Sequence, residues 1–329
     1  MAIIVTTSYD ISAAVVVLPP VGGRLRDSGL RNWLARAELS RIDAPTERLA
    51  SILAELGKPC PGDGMAALRF WGQTGDRPAS WIAGADPVYL EPRLDHLALH
   101  ALQGNAMPSS DLRPLIDHLQ QSLAGDGDFG FARLRSYAYI TAQEPITTAA
   151  LPAYSIDRRQ PDDFLPSGEG AAKYRKLSSE IEMALHDHEV NVEREHQGLQ
   201  PVNALWIWGG GHAPEQTTVP HPPLFAADPL LTGYWMSKTG VAEDWPGSID
   251  ACLEVAVAGF VAVTPASGDD DDLLASCLHE LYAALNARRI SKLTLLFRDG
   301  VCARVKRSQA LRVWRRGNPL INGIDGDDE

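Results

Sequence analysis

The sequence predicts an α/β fold: a mostly parallel central sheet with helices on both faces, plus a C-terminal β-hairpin. Three observations predict it. Strand-like and helix-like segments alternate along the 329 residues. Two strand candidates, Asn203 to Trp208 and Leu253 to Thr264, are apolar on both faces, as strands covered on two sides must be. Asp299-Gly300 separates two alternating runs, which is a two-residue hairpin signal.

The elements follow in chain order. Ala13 to Leu18 is a Val-rich run stopped by Pro19-Pro20 and reads as a buried strand. Leu30 to Glu38 and Thr46 to Leu56 read as helices, the second ended by Gly57. Ala66 to Trp71 and Ser80 to Ala83 read as strands. Leu94 to Ala101 separates by period two, with Leu97, Leu99 and Ala101 on one face and His96, Ala98 and His100 on the other. Asp111 to Ala124 reads as a helix capped by Ser109 or Ser110. Gly125 to Asp128 reads as a turn, and Phe129 to Ile140 as one or two strands.

Pro145 to Gly170 is weakly periodic and rich in Pro, Asp and Ser. It suggests a boundary between an N-terminal region, 1–150, and a second region, 151–323, followed by an acidic tail, 324–329. Ala171 to Leu185 is the clearest helix, with Tyr174, Leu177, Ile181 and Leu185 in one stripe. Glu193 to Gly198 reads as a second short helix. In Asn203 to Trp208, Leu205 and Ile207 point one way and Trp206 and Trp208 the other. Gly209-Gly210-Gly211 ends that strand. Asp269 to Asp272 starts a helix reaching about Ala287, and Lys292 to Lys306 forms the hairpin.

Composition bounds the function. With 45% apolar and 22% charged residues, the chain is an ordinary globular protein rather than a disordered or fibrous one. Thirty Lys and Arg against 42 Asp and Glu give a net charge of −12, which disfavours bulk binding of nucleic acid or anionic membrane. Ten basic residues between Arg288 and Arg316, with Trp314 among them, are the local exception; a solvated sheet face is the plainer reading. The four cysteines form no Cys-x-x-Cys pair, so a zinc ribbon and a thioredoxin-type site lack support. The start has no basic leader, and the longest apolar run is about half of the ~20 residues a membrane-spanning helix needs. The expectation is a cytoplasmic protein with reduced thiols and no membrane partner.

The densest chemistry lies between Glu180 and Pro214. Glu182, His186 and His188 invite a metal reading, but His186 and His188 stand about 200° apart on a continuous helix. His-Glu-x-x-His is absent. His96 and His100 share a strand face about 13 Å apart and cannot chelate one ion. Gly209 to Gly211 lacks the Gly-Lys-Ser/Thr of a phosphate loop but closes an inner strand, where α/β proteins place ligands. No Gly-x-Ser-x-Gly elbow occurs.

The stretch Leu185-His186-Asp187-His188-Glu189-Val190-Asn191, with Arg194, Gly198, Pro201, Asn203, Trp206, Trp208 to Gly211 and Pro214, resembles archaeal-type cofactor-independent phosphoglycerate mutases of the alkaline-phosphatase superfamily. Over the whole chain, Ala85 to Val88, Leu165 to Gly168, Glu180 to Met183, Asp228-Pro229-Leu230 and Leu311 to Arg316 resemble bacterial RpfE-type regulatory proteins, which are phosphoglycerate-mutase-like. The mutases use two metal ions and a serine nucleophile. Here the first strand runs into Leu18-Pro19-Pro20 with no aspartate, and Val263-Thr264-Pro265 offers no ligand. The resemblance therefore implies a mutase-like core without the metal motifs, a regulatory protein needing no cofactor. It would bind a small anionic ligand or a protein partner. Asn191, Arg194, Asn203, Gly209, Gly210 and Gly211 are the candidate ligand residues. The alternative is an active mutase or phosphatase with Mn or Zn, held by His186, His188 and His212, with His221 in support.

Overall fold

The structure is a computed structural model that describes residues 13–124, 128–256, 258–266, 270–311 and 317–323. The turn at Gly125 to Gly127, Asp269, the basic residues Arg312, Arg315 and Arg316 with Trp314, and the tail 324–329 lie outside the described residues. So does the start of the chain, 1–12.

In chain order the described elements are β1 (Ala13–Leu18), α1 (Ser28–Ala35), β2 (Glu38–Arg41), α2 (Arg48–Glu55), α3 (Met65–Thr74), β3 (Trp81–Pro92), β4 (Leu97–Ala101), α4 (Ser109–Leu123), β5 (Phe129–Leu134) and β6 (Tyr137–Ala142). Then come α5 (Ala171–Leu185), α6 (Glu189–His196), β7 (Ala204–Gly211), β8 (Leu224–Phe225), α7 (Pro229–Ser237), β9 (Ala242–Glu243), α8 (Ile249–Val255), β10 (Gly259–Val263), α9 (Asp270–Asn286), β11 (Lys292–Phe297), β12 (Val301–Lys306) and α10 (Pro319–Asn322).

The larger sheet has the order β2-β12-β11-β1-β10-β8-β9. Its centre is parallel: β1 pairs with β10 and β11, β8 with β10, and β9 with β8. The expected hairpin is present, β11 against β12, and β2 adds antiparallel to its outer edge. Val15 and Val17 face one core while Ala14, Val16 and Leu18 face the other, so β1 is apolar throughout. The outer core is closed by α1, α8 and α9; the inner one by α2, α3 and α7.

A second sheet, not foreseen as separate, is antiparallel. The long strand β3 pairs with β7 on one side and with β6 and β4 at its two ends, and β5 pairs with β6. The inferred alternation in β7 holds: Trp206 and Trp208 join the core between the sheets, while Leu205 and Ile207 join the core under α4 and α5. Covering on two sides made both faces apolar, but the sheet direction is antiparallel. The stripe Tyr174, Leu177, Ile181 and Leu185 is buried in that same core, each aliphatic side chain contributing about 2 kcal/mol.

Four local expectations change. Ala66 to Trp71 is helix α3, because it packs its small residues against β7 and α7 rather than pairing in a sheet. Leu253 to Thr264 splits into the end of α8 and β10, with Gly259 at φ 99° opening the strand. Pro108, not a serine, precedes α4, and no side chain among the described residues caps that helix. Gly209 to Gly211 continue β7 instead of ending it. Both sheets take strands from either side of residue 150.

Candidate functional site at the carboxyl edge of the parallel sheet

Each predicted ligand residue can be placed. Asn191 is buried on α6. Its Nδ2 donates to the carbonyls of Leu185 and Val202, and its Oδ1 accepts the Val202 N–H. Arg194, 3% exposed, donates Nε to Gln200 O, one guanidinium nitrogen to Ala106 O and the other to Asp111 Oδ2 at 2.7 Å. Asn203 copies a strand pairing, with Oδ1 accepting from Leu90 N–H and Nδ2 donating to Leu90 O. The chain itself thus engages the donors and acceptors of all three.

The glycines answer to packing. A Cβ on Gly210 would stand 2.4 Å from the Trp81 ring, and one on Gly211 2.3 Å from the Gly64 nitrogen. Gly209 has φ +60°, a conformation other residues rarely adopt. The three glycines lie along β7, whereas Asn191 and Arg194 lie on α6.

The candidate metal histidines are also dispersed. His186 is exposed beside Asp187. His188 caps α6 through Nδ1 and packs on His118. His212 is exposed after β7, and His221 packs between Tyr234 and Trp235. Among the described residues no three His, Cys, Asp or Glu side chains are grouped to hold an ion. The donor set of a two-metal centre therefore does not fit the residues described.

What converges lies elsewhere. The consecutive strands β10 and β11 lie on opposite sides of β1. Such a reversal opens a crevice at the carboxyl ends of the strands. Two adjoining cavities fill it. The outer one, about 460 Å³, is lined by Thr46, Arg48, Ser51, Tyr154, Arg159 and Arg298 among others. The inner one, about 230 Å³, is lined by Arg48, Arg69, Tyr137, Tyr154, Thr264 and Arg298 among others. Arg48, Tyr154 and Arg298 form the wall between them.

Local structure places each cation. Arg298 directly follows β11, and its backbone N–H continues the ladder to Leu18 O. Its guanidinium donates to the carbonyls of Thr264 and Pro265, leaving Nε buried with no hydrogen-bond partner among the described residues. Burial, and then the repulsion of Arg48, push its pKa down. Arg48 opens α2 and meets Asp228 at 2.5 Å, while its guanidinium lies 5.2 Å from the centre of the Tyr154 ring. Arg159 donates to Asp43 O.

The carboxylates nearby already have work. Asp228 Oδ1 caps α7 through the N–H groups of Leu230 and Leu231. Asp299 Oδ2 accepts from Val21 and Gly22. Two guanidiniums thus line the same cavities, a concentration of positive charge of the kind that favours anions.

Arg69 closes the inner end. It is buried, donates to Asp86 at 2.6 Å, to Tyr139 and to Ala138 O, and has Tyr137, Tyr139 and Trp208 rings within 5.0 Å. Sequence reading missed this cleft because Arg48, Arg159 and Arg298 share no motif. The one available signal was Arg298, the first residue after an inner strand.

No family model matches the chain. Segments of it are similar to curated mutases. Over 71 residues it is 34% identical to the 2,3-bisphosphoglycerate-independent phosphoglycerate mutase of Methanosarcina acetivorans, covering 22% of this chain and 18% of that one. Over 127 residues it is 26% identical to the Methanosarcina barkeri enzyme of the same name, covering 38% and 32%. The chain thus spans a third or less of the length of these relatives. A solved protein of Pyrococcus horikoshii, PH0037, shares the fold at a TM-score of 0.50 and 11% identity, covering 90% of this chain and 87% of that one.

Proposed function

We propose that this chain is a recognition protein on a phosphoglycerate-mutase-like α/β framework. It takes a small phosphorylated or carboxylated anion into the cleft at the carboxyl edge of the parallel sheet. It serves regulation, as the RpfE-type resemblance implies, rather than turnover. The observation that carries this reading is that Arg48 and Arg298 line both cavities together and repel one another. An oxyanion bonded to the guanidinium nitrogens there would relieve the repulsion between the two cations. Charge-assisted bonds of this kind are worth about 1.5–3 kcal/mol each. Arg159 and the hydroxyls of Thr46 and Ser51 would orient the far end of the ligand.

The competing reading is an active mutase, favoured by the local identity to the Methanosarcina enzymes. Two-metal phosphoryl transfer needs grouped ligands to neutralise charge and activate a nucleophile. The described cleft offers arginines and already engaged carboxylates instead.

The experiment is an enolase-coupled assay of 3-phosphoglycerate with Mn²⁺ and with EDTA, beside calorimetric titration of the same compound. Binding without turnover in either condition is expected. Metal-dependent turnover that EDTA abolishes would replace the recognition reading by the enzyme.

A further inference from the structure

Behind the wall of the cleft lies a carboxyl group that anion recognition itself does not use. Glu47 precedes α2 and is 4% exposed. Its Oε2 accepts from Ala50 N–H at 3.1 Å, capping the helix, and its Oε1 accepts from the Tyr154 hydroxyl at 2.6 Å. Tyr154 lines both cavities, and Arg48 covers its ring. Arg48 in turn holds Asp228. Glu47, Asp228 and any anion in the cleft therefore compete for one cation.

Resting on the anion reading of the cleft, we infer that the site takes its ligand together with a proton, which Glu47 receives. An oxyanion on Arg48 and Arg298 brings negative charge towards a carboxylate that burial already penalises. It also draws on the guanidinium that stabilises that carboxylate. Protonation removes both costs. A buffer acid in the solvent loses the proton, breaking its bond to hydrogen, and one O–H bond forms on the Glu47 carboxyl; nothing else is transferred.

The free chain is poised for this exchange. Burial, with repulsion from Asp228, lifts Glu47 to about 7, so near neutrality an appreciable fraction is carboxylate that the anion can convert. The groups facing Glu47 are Arg48 on its own helix, Tyr154 from the 3-10 turn after Pro152, Asp228 at the start of α7, and Cys60 beyond the end of α2. Arg48, Tyr154 and Cys60 are each raised above already high ordinary values and stay silent near neutrality.

The test uses inorganic sulfate, which does not itself titrate between about pH 6 and 8.5. Calorimetric titration of the full chain at pH 7.5, in two buffers of different ionisation enthalpy, counts the protons. The expected result is an uptake of roughly half a proton per sulfate, with affinity falling by up to about tenfold per pH unit above neutrality. Glu47→Gln keeps one oxygen for Ala50 N–H and turns its NH2 to the Tyr154 hydroxyl, whose oxygen accepts. It should bind sulfate with no proton uptake and a flat pH profile. Sulfate binding with equal heats in both buffers and no pH dependence would overturn the inference and leave the anion site standing. Uptake that persists in Glu47→Gln would overturn it too, by placing the proton elsewhere. Absence of sulfate binding would overturn the cleft reading and the inference together.

Discussion

Arg194 and Arg298 are both arginines held against main-chain carbonyls, yet their surroundings differ in kind. Arg194 sits in the corner between α6 and α4 with its donors satisfied by Gln200 O, Ala106 O and Asp111. Arg298 sits at the end of a parallel strand and lines both cavities beside the like charge of Arg48, with its buried Nε unpartnered among the described residues. The first arrangement satisfies its cation within the chain; the second leaves two like charges together at an opening. A charged residue inside a recognisable motif is therefore weaker evidence of binding than one that lines an opening beside a like charge.

Variants can break this comparison. The largest expected effect is at Asp86. Replacement by Ala leaves the Arg69 guanidinium buried and without its carboxylate, and urea unfolding should show a loss of about 3–5 kcal/mol. A loss below about 1 kcal/mol would mean that the three surrounding rings suffice to hold the cation.

Glu47 comes next, through pH. Its folded pKa, about 7, lies above the ordinary carboxyl value, so the folded state holds the proton more tightly. Its contribution is fully present below about pH 4.5 and is lost as pH rises through about 7, a total of about 3 kcal/mol. The stability difference between the parent chain and Glu47→Gln should grow in favour of the variant across that window. Parallel pH profiles would show that Glu47 does not titrate there.

Arg194→Met should cost about 2 kcal/mol and leave sulfate affinity unchanged, since the side chain serves the α4–α6 corner. Loss of sulfate binding with stability intact would instead place the anion at Asn191, Arg194 and Asn203. The smallest stability effect is expected at Arg298. Arg298→Met should stay within about 1 kcal/mol of the parent chain, because one repulsion disappears with its bonds to two carbonyls. Its sulfate affinity should nonetheless fall about tenfold, the equivalent of one charge-assisted bond. The two arginines would then dissociate stability from binding in opposite directions.

Periodicity carried far at the level of elements and less far at the level of layers. The β1 run, the α5 stripe, the two-sided β7 and the Asp299-Gly300 hairpin were all legible, because local spacing and burial agree there. Ala66 to Trp71 misled because small apolar residues suit either a strand or a helix pressed against a neighbour; Gly72 and Gly233 let α3 approach α7 until backbones touch. The separate antiparallel sheet was invisible because β7 is covered on both faces, and double covering is the usual mark of a parallel strand.

By itself, the sequence determined which segments are apolar on which face, where the hairpin turns, and that the first strand ends without a carboxylate. These are properties of neighbouring residues. Only the tertiary structure decided that Arg48, Arg159 and Arg298, far apart in the chain, share one cleft while Asn191, Arg194 and Asn203 bond to the chain itself. Whether a donor is met depends on which carbonyl or carboxylate folding brings to it, and no local pattern encodes that partner.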